Sequence, residues 1–417
     1  MNEAARGKTL GIVVGGGPAP GINGVIAAAT IEAANDGMRV LGFTDGFRWL
    51  AAGDRDHVET LTIERVSRIH FTGGSILRTS RENPSKDPKR LRNVVESLRA
   101  LGVDCLLTIG GDDTAYTASR VAKEAGGAIR VATVPKTIDN DLPLPHHLST
   151  FGFQTARHYG AETVSRLMED ARTTSRWYLV VTMGRKCGAL AMGIAKSAGA
   201  TVAIIAEEFP PGPIDVDRVS KTLVGAIVKR RAMGRQDGVA VLAEGIAERF
   251  DPGKVPDVGA ASRDEFGHLR LSEIDLGGLL RSQATKRLRA MEISTSIVSL
   301  DLGYELRCAA PIPFDCEYTR NLGYGAVRFF LQGGSGAMIA IVAGKMTPIP
   351  FEELLDPKTG KIAVRLVDVT TESYEVARKY MIRLDRDDFE DPERLAALAR
   401  EARMGPAAFR AEYEGVL

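Results

Sequence analysis

An α/β architecture, with mainly parallel sheets covered by helices on both faces, is predicted by three features of the 417-residue sequence. Short apolar runs recur along the chain. Two of them lead straight into glycine-rich turns, and a segment of helical composition follows each turn. Strands that read as near-continuous apolar stretches are those buried on both faces, which is the condition of a parallel sheet.

The first such unit is Leu10-Gly11-Ile12-Val13-Val14, followed by Gly15-Gly16-Gly17 and by helical composition over residues 24–34. The second is the run at residues 103–109, then Gly110-Gly111, then residues 117–124. Further candidate strands lie at residues 130–134, 178–182, 202–205, 238–243 and 337–342. Residues 251–270 lack periodicity and are rich in turn formers, so a surface loop is expected there. Residues 384–403 are charged and helix-prone, which predicts a peripheral C-terminal helix or pair. At this length, two domains of roughly 150–200 residues are expected.

Composition narrows the functional classes. Basic and acidic side chains number 54 and 53, leaving a net charge of +1. No global field therefore directs the protein to nucleic acid or to an anionic membrane. No run approaches the roughly 20 apolar residues of a membrane span, and no signal-type apolar segment precedes Gly11. The four cysteines, at positions 105, 187, 308 and 316, form no CxxC pair. Cys105 lies in an apolar run and reads as a buried thiol, so a cytoplasmic location is expected.

Three segments carry candidate chemistry, each with a plainer alternative. Gly15-Gly16-Gly17-Pro18-Ala19-Pro20-Gly21-Ile22-Asn23 offers backbone N–H groups and a helix N-terminus to a phosphate, or else serves close packing. Thr108-Ile109-Gly110-Gly111-Asp112-Asp113-Thr114 places two carboxylates after two glycines, suited to a Mg²⁺ ion bridging phosphates. One aspartate alone would read as a helix cap. Pro135-Lys136-Thr137-Ile138-Asp139-Asn140-Asp141 gathers a cation, a hydroxyl and two carboxylates. It reads either as a general base beside a donor-binding lysine or as a polar turn.

The order of these segments, with a later Met183-Gly184-Arg185 and Ala243-Glu244-Gly245, resembles the 6-phosphofructokinase family. The match runs from about residue 10 to about residue 344. The resemblance implies two Rossmann-like, three-layer αβα domains with the active site in the cleft between them. A phosphoryl-donor domain is expected over residues 1–155 and about 315–362. A sugar-phosphate domain is expected over residues 156–314 and about 363–385, with residues 386–417 a peripheral helical segment.

The resemblance also implies roles. Asp139 is the base for the sugar 1-hydroxyl, Asp141 supports it, and Thr137 contacts the sugar or the moving phosphoryl group. Arg185 neutralises charge on that group, and Asp112 holds Mg²⁺. Gly17, Gly111, Thr114 and Arg81 bind the donor. Met183, Gly184, Glu244, Tyr304 and Arg307 recognise the sugar phosphate. Arg176 matches an arginine that reaches the 6-phosphate in a neighbouring subunit, so a homodimer or homotetramer with shared sites is implied.

The sequence departs from many ATP-using relatives. Their phosphate-binding arginine continues as Arg-Gly-Gly and later Asp-Arg, whereas this chain has Arg307-Cys308-Ala309-Ala310 and Asp315-Cys316. Tyr304 and Tyr318 are the candidate substitutes. Asp113 and Lys136 stand where ATP-using relatives often have glycine. A carboxylate at Asp113 brings bulk and like-charge repulsion against a nucleotide α-phosphate, and Lys136 suits a free diphosphate. Arg78, in the donor-side loop of residues 73–81, is either a second diphosphate clamp or a solvated arginine.

These features predict a reversible diphosphate–fructose-6-phosphate 1-phosphotransferase, with fructose 6-phosphate and inorganic diphosphate as its small-molecule partners. Two alternatives are an ATP-dependent 6-phosphofructokinase and a non-catalytic sugar-phosphate-binding subunit. The second alternative calls for a broken catalytic set, yet Asp112, Asp139, Asp141 and Arg185 are all present. Sedoheptulose 7-phosphate is a further possible acceptor.

Overall fold

The computed structural model describes residues 6–145, 148–255, 258, 271 and 274–416. The chain forms two compact units, Met1–Ala156 with Tyr304–Arg365, and Arg157–Gly303 with Leu366–Leu417.

In the first unit an eight-stranded sheet is built on three strands: β1 (Thr9–Val14), β4 (Cys105–Gly110) and β5 (Arg130–Thr137). β2 (Arg39–Phe43) and β3 (Val58–Thr60) extend it on one side. On the other side stand β11 (Ala337–Val342) and β12 (Lys345–Pro350), while β6 (Phe151–Gly152) pairs with β5. The order is β12-β11-β5-β4-β1-β2-β3. The pairings from β11 through β2 are parallel, and both edge strands are antiparallel.

Every residue of β1 and β4 is buried, as their unbroken apolar runs require. Side chains alternate between two cores. Leu10, Ile12 and Val14 face one core with Cys105, Leu107 and Ile109, while Val13 and Leu106 face the other. The helices Ile22–Asn35 and Pro313–Leu331 cover the first core. They approach closely at small residues, because a β-carbon on Gly24 would run into Thr319 and one on Gly323 into the backbone at Val25. The helices Pro88–Ala100 and Asp112–Ala125 cover the second core.

The second unit carries an all-parallel sheet of four strands, β7 (Arg176–Thr182), β8 (Val202–Ile204), β9 (Gly238–Ala243) and β10 (Ser296–Leu302), in the order β10-β7-β9-β8. The helices Val216–Ala232 and Leu276–Ala290 pack on one face. Among the described residues, no helix is long and apolar enough to cross a membrane. The expected loop at 251–270 lies mostly outside the described residues. Of its described positions, 252–254 form a turn, while Val255 and Val258 are buried.

Two expectations need correction. The chain returns to the first unit at Tyr304, not near residue 315, so Tyr304 and Arg307 belong with the glycine-rich turns. The segment expected to be peripheral, described over residues 386–416, is not so. Leu395, Leu398, Ala399, Ala402, Phe409 and Tyr413 recur at helical spacing and enter the second unit's core. The dense charge of this segment had obscured its apolar stripe.

Phe409 is fully buried, with its ring 4.8 Å from Tyr413 and 6.1 Å from Phe389. Phe409→Ala is therefore expected to cost the second unit about 3–5 kcal/mol in urea unfolding. A loss below about 1 kcal/mol would return the segment to a peripheral role.

Candidate active site

The three glycine-bearing or acidic turns of the first unit leave the sheet together. Val14 pairs with Ile109, Ile109 with Val134, and Gly110 with Pro135, so all three turns begin within about a residue of one level. The level is the carboxyl edge of parallel strands, between β1 and β4, where successive connections run to opposite sides. Open α/β sheets bind ligands at this point. The ladder continues one step further, with the Gly15 N–H donating to the Ile109 carbonyl at 2.9 Å.

Thr114 is the wedge of this junction. It is buried, and a β-carbon on either Gly15 or Gly110 would overlap its side chain. Glycine is needed at both positions because the two turns close on one threonine. Gly16 has a φ of 81° and donates to the Ser80 carbonyl at 2.8 Å. Thr79 Oγ1 donates to the Gly16 carbonyl at 2.7 Å. Asn23, from the first glycine-rich segment, holds the same loop. Its amide donates to Thr72 Oγ1 at 3.0 Å, and its carbonyl accepts from the Ile76 N–H at 2.9 Å. Exposed Arg81 follows directly on this anchored run. Arg78, with a φ of 55°, pairs with Asp45 at 3.9 Å.

The helix Asp112–Ala125 begins with both carboxylates in its first turn, where the backbone partial charge favours anions. Asn83 Nδ2 donates to Asp113 Oδ1 at 3.4 Å. Asn83 is itself fixed, because its Oδ1 accepts from Thr117 Oγ1 at 3.1 Å and from the Ser85 N–H at 3.2 Å. This buried residue was missed from sequence, although Asn83-Pro84 is a turn-forming pair. Lys136 is 3% exposed, and its ammonium donates to the Gly17 carbonyl, so a buried cation lies under the first turn. The Arg307 guanidinium stands over the Tyr304 ring, 5.1 Å from its centre. It also borders Gly17, where an added β-carbon would sit 3.7 Å from Cζ.

The acidic turn after β5 is internally braced. The Asp139 N–H donates to Thr137 Oγ1 at 3.0 Å, and Thr150 Oγ1 donates to the Thr137 carbonyl at 2.7 Å. Just beyond, the fully buried Asp315 carboxylate accepts from the Gly152 N–H at 2.9 Å and the Thr155 N–H at 2.8 Å. Burial nevertheless holds this carboxyl above the ordinary aspartate range, against the pull of its hydrogen bonds. The Tyr318 hydroxyl is buried without a hydrogen-bond partner among the described residues, and burial pushes it up to about 12.

In the second unit, Met183, Gly184 and Arg185 follow β7. Gly184 has a φ of 148° and Arg185 a φ of 48°, so the turn sits in left-handed backbone that needs support. Glu244, at the end of β9, supplies it. Its Oε1 accepts from the Gly184 N–H at 3.2 Å and the Arg185 N–H at 3.0 Å. The sequence alone assigns Glu244 to sugar hydroxyls, whereas one of its oxygens shapes the turn. Arg176 does not join this group. It begins β7, and the seven-residue strand sets it about 20 Å from Met183.

The first unit thus brings together Gly17, Gly111, Asp112, Asp113, Thr114, Lys136, Thr137, Asp139, Asp141, Tyr304 and Arg307 on or beside the turns at one sheet edge. The second groups Met183, Gly184, Arg185 and Glu244. Among the described residues, no group of three or more His, Cys, Asp or Glu forms a metal cage.

Comparison with known proteins gives consistent matches. A family profile described as Phosphofructokinase matches residues 9–330. A pyrophosphate–fructose 6-phosphate 1-phosphotransferase of Thermotoga maritima is 53% identical over 411 residues, covering 97% of this chain and 98% of that protein. One from Naegleria fowleri is 48% identical over 415 residues, covering 97% and 95%. An ATP-dependent 6-phosphofructokinase of Lactobacillus johnsonii is 29% identical over 353 residues, covering 84% and 95%. The crystal structure of a pyrophosphate-dependent phosphofructokinase from Marinobacter aquaeolei aligns with a TM-score of 0.68 at 17% identity, over 95% of this chain and 92% of that one.

Lys136→Met keeps most of the buried volume and removes the charge. It is expected to weaken magnesium diphosphate binding by roughly 30-fold or more in calorimetry. Unchanged affinity would leave Lys136 a packing device for the Gly17 turn.

Proposed function

The chain belongs to the phosphofructokinase family, and we propose that it reversibly transfers a phosphoryl group from inorganic diphosphate to the 1-hydroxyl of fructose 6-phosphate. The observation that carries the choice of donor is the pairing at the sheet edge of a fixed Asp113 carboxylate with a buried Lys136 ammonium. A free diphosphate gains from the ammonium. A nucleotide meets a negative side chain where its α-phosphate would lie, and that side chain is held in place by Asn83. The relatives that are 53% and 48% identical over nearly the full length carry the pyrophosphate-dependent name.

In the reaction, the sugar 1-oxygen attacks the terminal phosphorus, and the bond from that phosphorus to the bridging oxygen breaks. The hydroxyl proton goes to Asp139, and inorganic phosphate leaves. Asp139 sits in a turn whose backbone is already hydrogen-bonded, so little reorganisation precedes proton transfer. Thr137 and Asp141 orient the acceptor, with Met183, Gly184 and Glu244 recognising the sugar. Arg185 and Lys136 offset charge on the moving group. Arg307 and Tyr304 take the sugar 6-phosphate. Gly17, Gly111, Thr114 and Arg81 border the donor.

Asp112 fits a Mg²⁺ ion. Its carboxylate opens the helix Asp112–Ala125 and accepts no hydrogen bond among the described residues. A single carboxylate is also adequate for Mg²⁺, which keeps several waters and shares substrate phosphates. Bound there, the ion would neutralise charge on the diphosphate oxygens. Arg176, remote from the second unit's turn, acts on the 6-phosphate bound by a neighbouring copy in a homodimer or homotetramer. The setting is the cytoplasm, in keeping with four free cysteines.

A matrix of diphosphate and ATP against fructose 6-phosphate tests this reading. Activity with diphosphate is expected, and activity confined to ATP would overturn it. Asp113→Gly is expected to raise kcat/KM for ATP by about tenfold or more, as removal of ~1.4 kcal/mol of repulsion would. No rise at all would refute the steric and electrostatic role of Asp113. Asp139→Ala is expected to lower kcat by about 10²–10⁴-fold with sugar-phosphate affinity largely kept. Near-normal turnover would remove Asp139 as the base.

A further inference from the structure

Arg365 makes a set of hydrogen bonds to the acidic turn and the chain that follows it. Its guanidinium Nε and Nη2 donate to the Asn140 carbonyl at 3.1 and 3.0 Å, and Nη2 also donates to Asn140 Oδ1 at 2.5 Å. Nη1 donates to the Leu148 carbonyl at 2.8 Å and the Leu144 carbonyl at 3.2 Å, with a longer contact to the Pro145 carbonyl at 3.5 Å. The Arg365 backbone N–H donates to the Asp141 carbonyl at 2.7 Å. One residue thus grips the chain at Asn140, Asp141, Leu144 and Leu148.

The grip falls where the backbone needs it. Asn140, between Asp139 and Asp141, has a φ of 57°, in the left-handed region that asparagine adopts more readily than most residues when local hydrogen bonds hold it. Its Oδ1 also accepts from the Thr150 N–H at 3.0 Å. Arg365 is itself on firm ground. Ile362, three residues earlier, is buried in the core, and the Ala363 N–H donates to the Leu354 carbonyl at 2.8 Å. Only a guanidinium offers five donors in a rigid planar fork, so lysine cannot reproduce this set.

We infer that Arg365 is a positioning residue for the phosphoryl transfer, acting through the backbone of Asn140 to hold the Asp139 and Asp141 carboxylates in their working places. This rests on the proposed function, since it takes Asp139 as the base. Without the fork the turn can relax out of its left-handed kink and carry Asp139 with it. An error of about 1 Å in such a group costs on the order of 10²-fold in rate. Ground-state contacts of the sugar phosphate, made mostly by other residues, are affected far less.

The test measures the full-length protein with diphosphate, Mg²⁺ and fructose 6-phosphate as wild type, Arg365→Ala and Arg365→Lys. Wild-type turnover checks the proposed function separately, before either variant is read. Both variants are expected to lose about 10²-fold in kcat with each KM within about threefold. Guanidinium at millimolar concentration is expected to restore part of the Arg365→Ala rate and none of the Arg365→Lys rate. If Arg365→Ala does not fold, Arg365→Lys decides, a lowered kcat supporting the inference. A folded variant with kcat within about threefold of wild type would overturn it. So would equal losses in kcat and in substrate affinity together with a lowered unfolding midpoint, because a general structural role predicts that pattern.

Discussion

The parallel register of β1, β4 and β5 is the constraint from which the first unit's site follows. Val14 stands beside Ile109 and Ile109 beside Val134, so three turns separated by many residues in sequence open at one height. Strand side chains alternate between two apolar cores, and a slip of one residue would turn Leu10, Ile12 and Val14 to the wrong core. Burial on both faces therefore pins the register, and the register places the glycines, Asp112, Asp113 and Lys136 in one neighbourhood. Thr114 then locks two of the turns against each other through Gly15 and Gly110. The grouping of these side chains at one edge is a consequence of packing beneath it.

A second theme is that several carboxylates shape backbone. Glu244 accepts from two N–H groups of the turn carrying Arg185, and Asp315 from two at the start of the helix Phe153–Thr174. Glu207 accepts from the Gly188 N–H at 2.8 Å and the Val367 N–H at 3.1 Å. Turns and helix starts leave N–H groups without backbone partners, and a carboxylate satisfies two at once. The residues assigned to substrate can then be presented on loops that do not need substrate to organise them.

The local part of this architecture was legible in the sequence. Apolar runs ending in glycine marked β1 and β4, and the acidic and basic residues stood in the turns that followed. What could not be read were partners distant along the chain. Asn83 and Asp113 are 30 residues apart, Thr155 and Asp315 160, and Asn140 and Arg365 225. No local pattern couples such pairs, because the sheet order that joins them is a property of the whole fold. Tyr304 and Arg307 were assigned to the wrong unit for the same reason. In the C-terminal helices dense surface charge masks the apolar spacing of Leu395, Leu398, Phe409 and Tyr413.

Diphosphate has a phosphoryl-transfer potential comparable to that of the sugar 1-phosphate, so a diphosphate-dependent enzyme should run measurably in both directions. Phosphorus NMR of the purified protein with fructose 1,6-bisphosphate, inorganic phosphate and Mg²⁺ tests the diphosphate dependence in the reverse direction. A growing diphosphate resonance together with one from fructose 6-phosphate is expected, with no nucleotide present. Absence of the diphosphate resonance, while added ADP is converted to ATP, would contradict it.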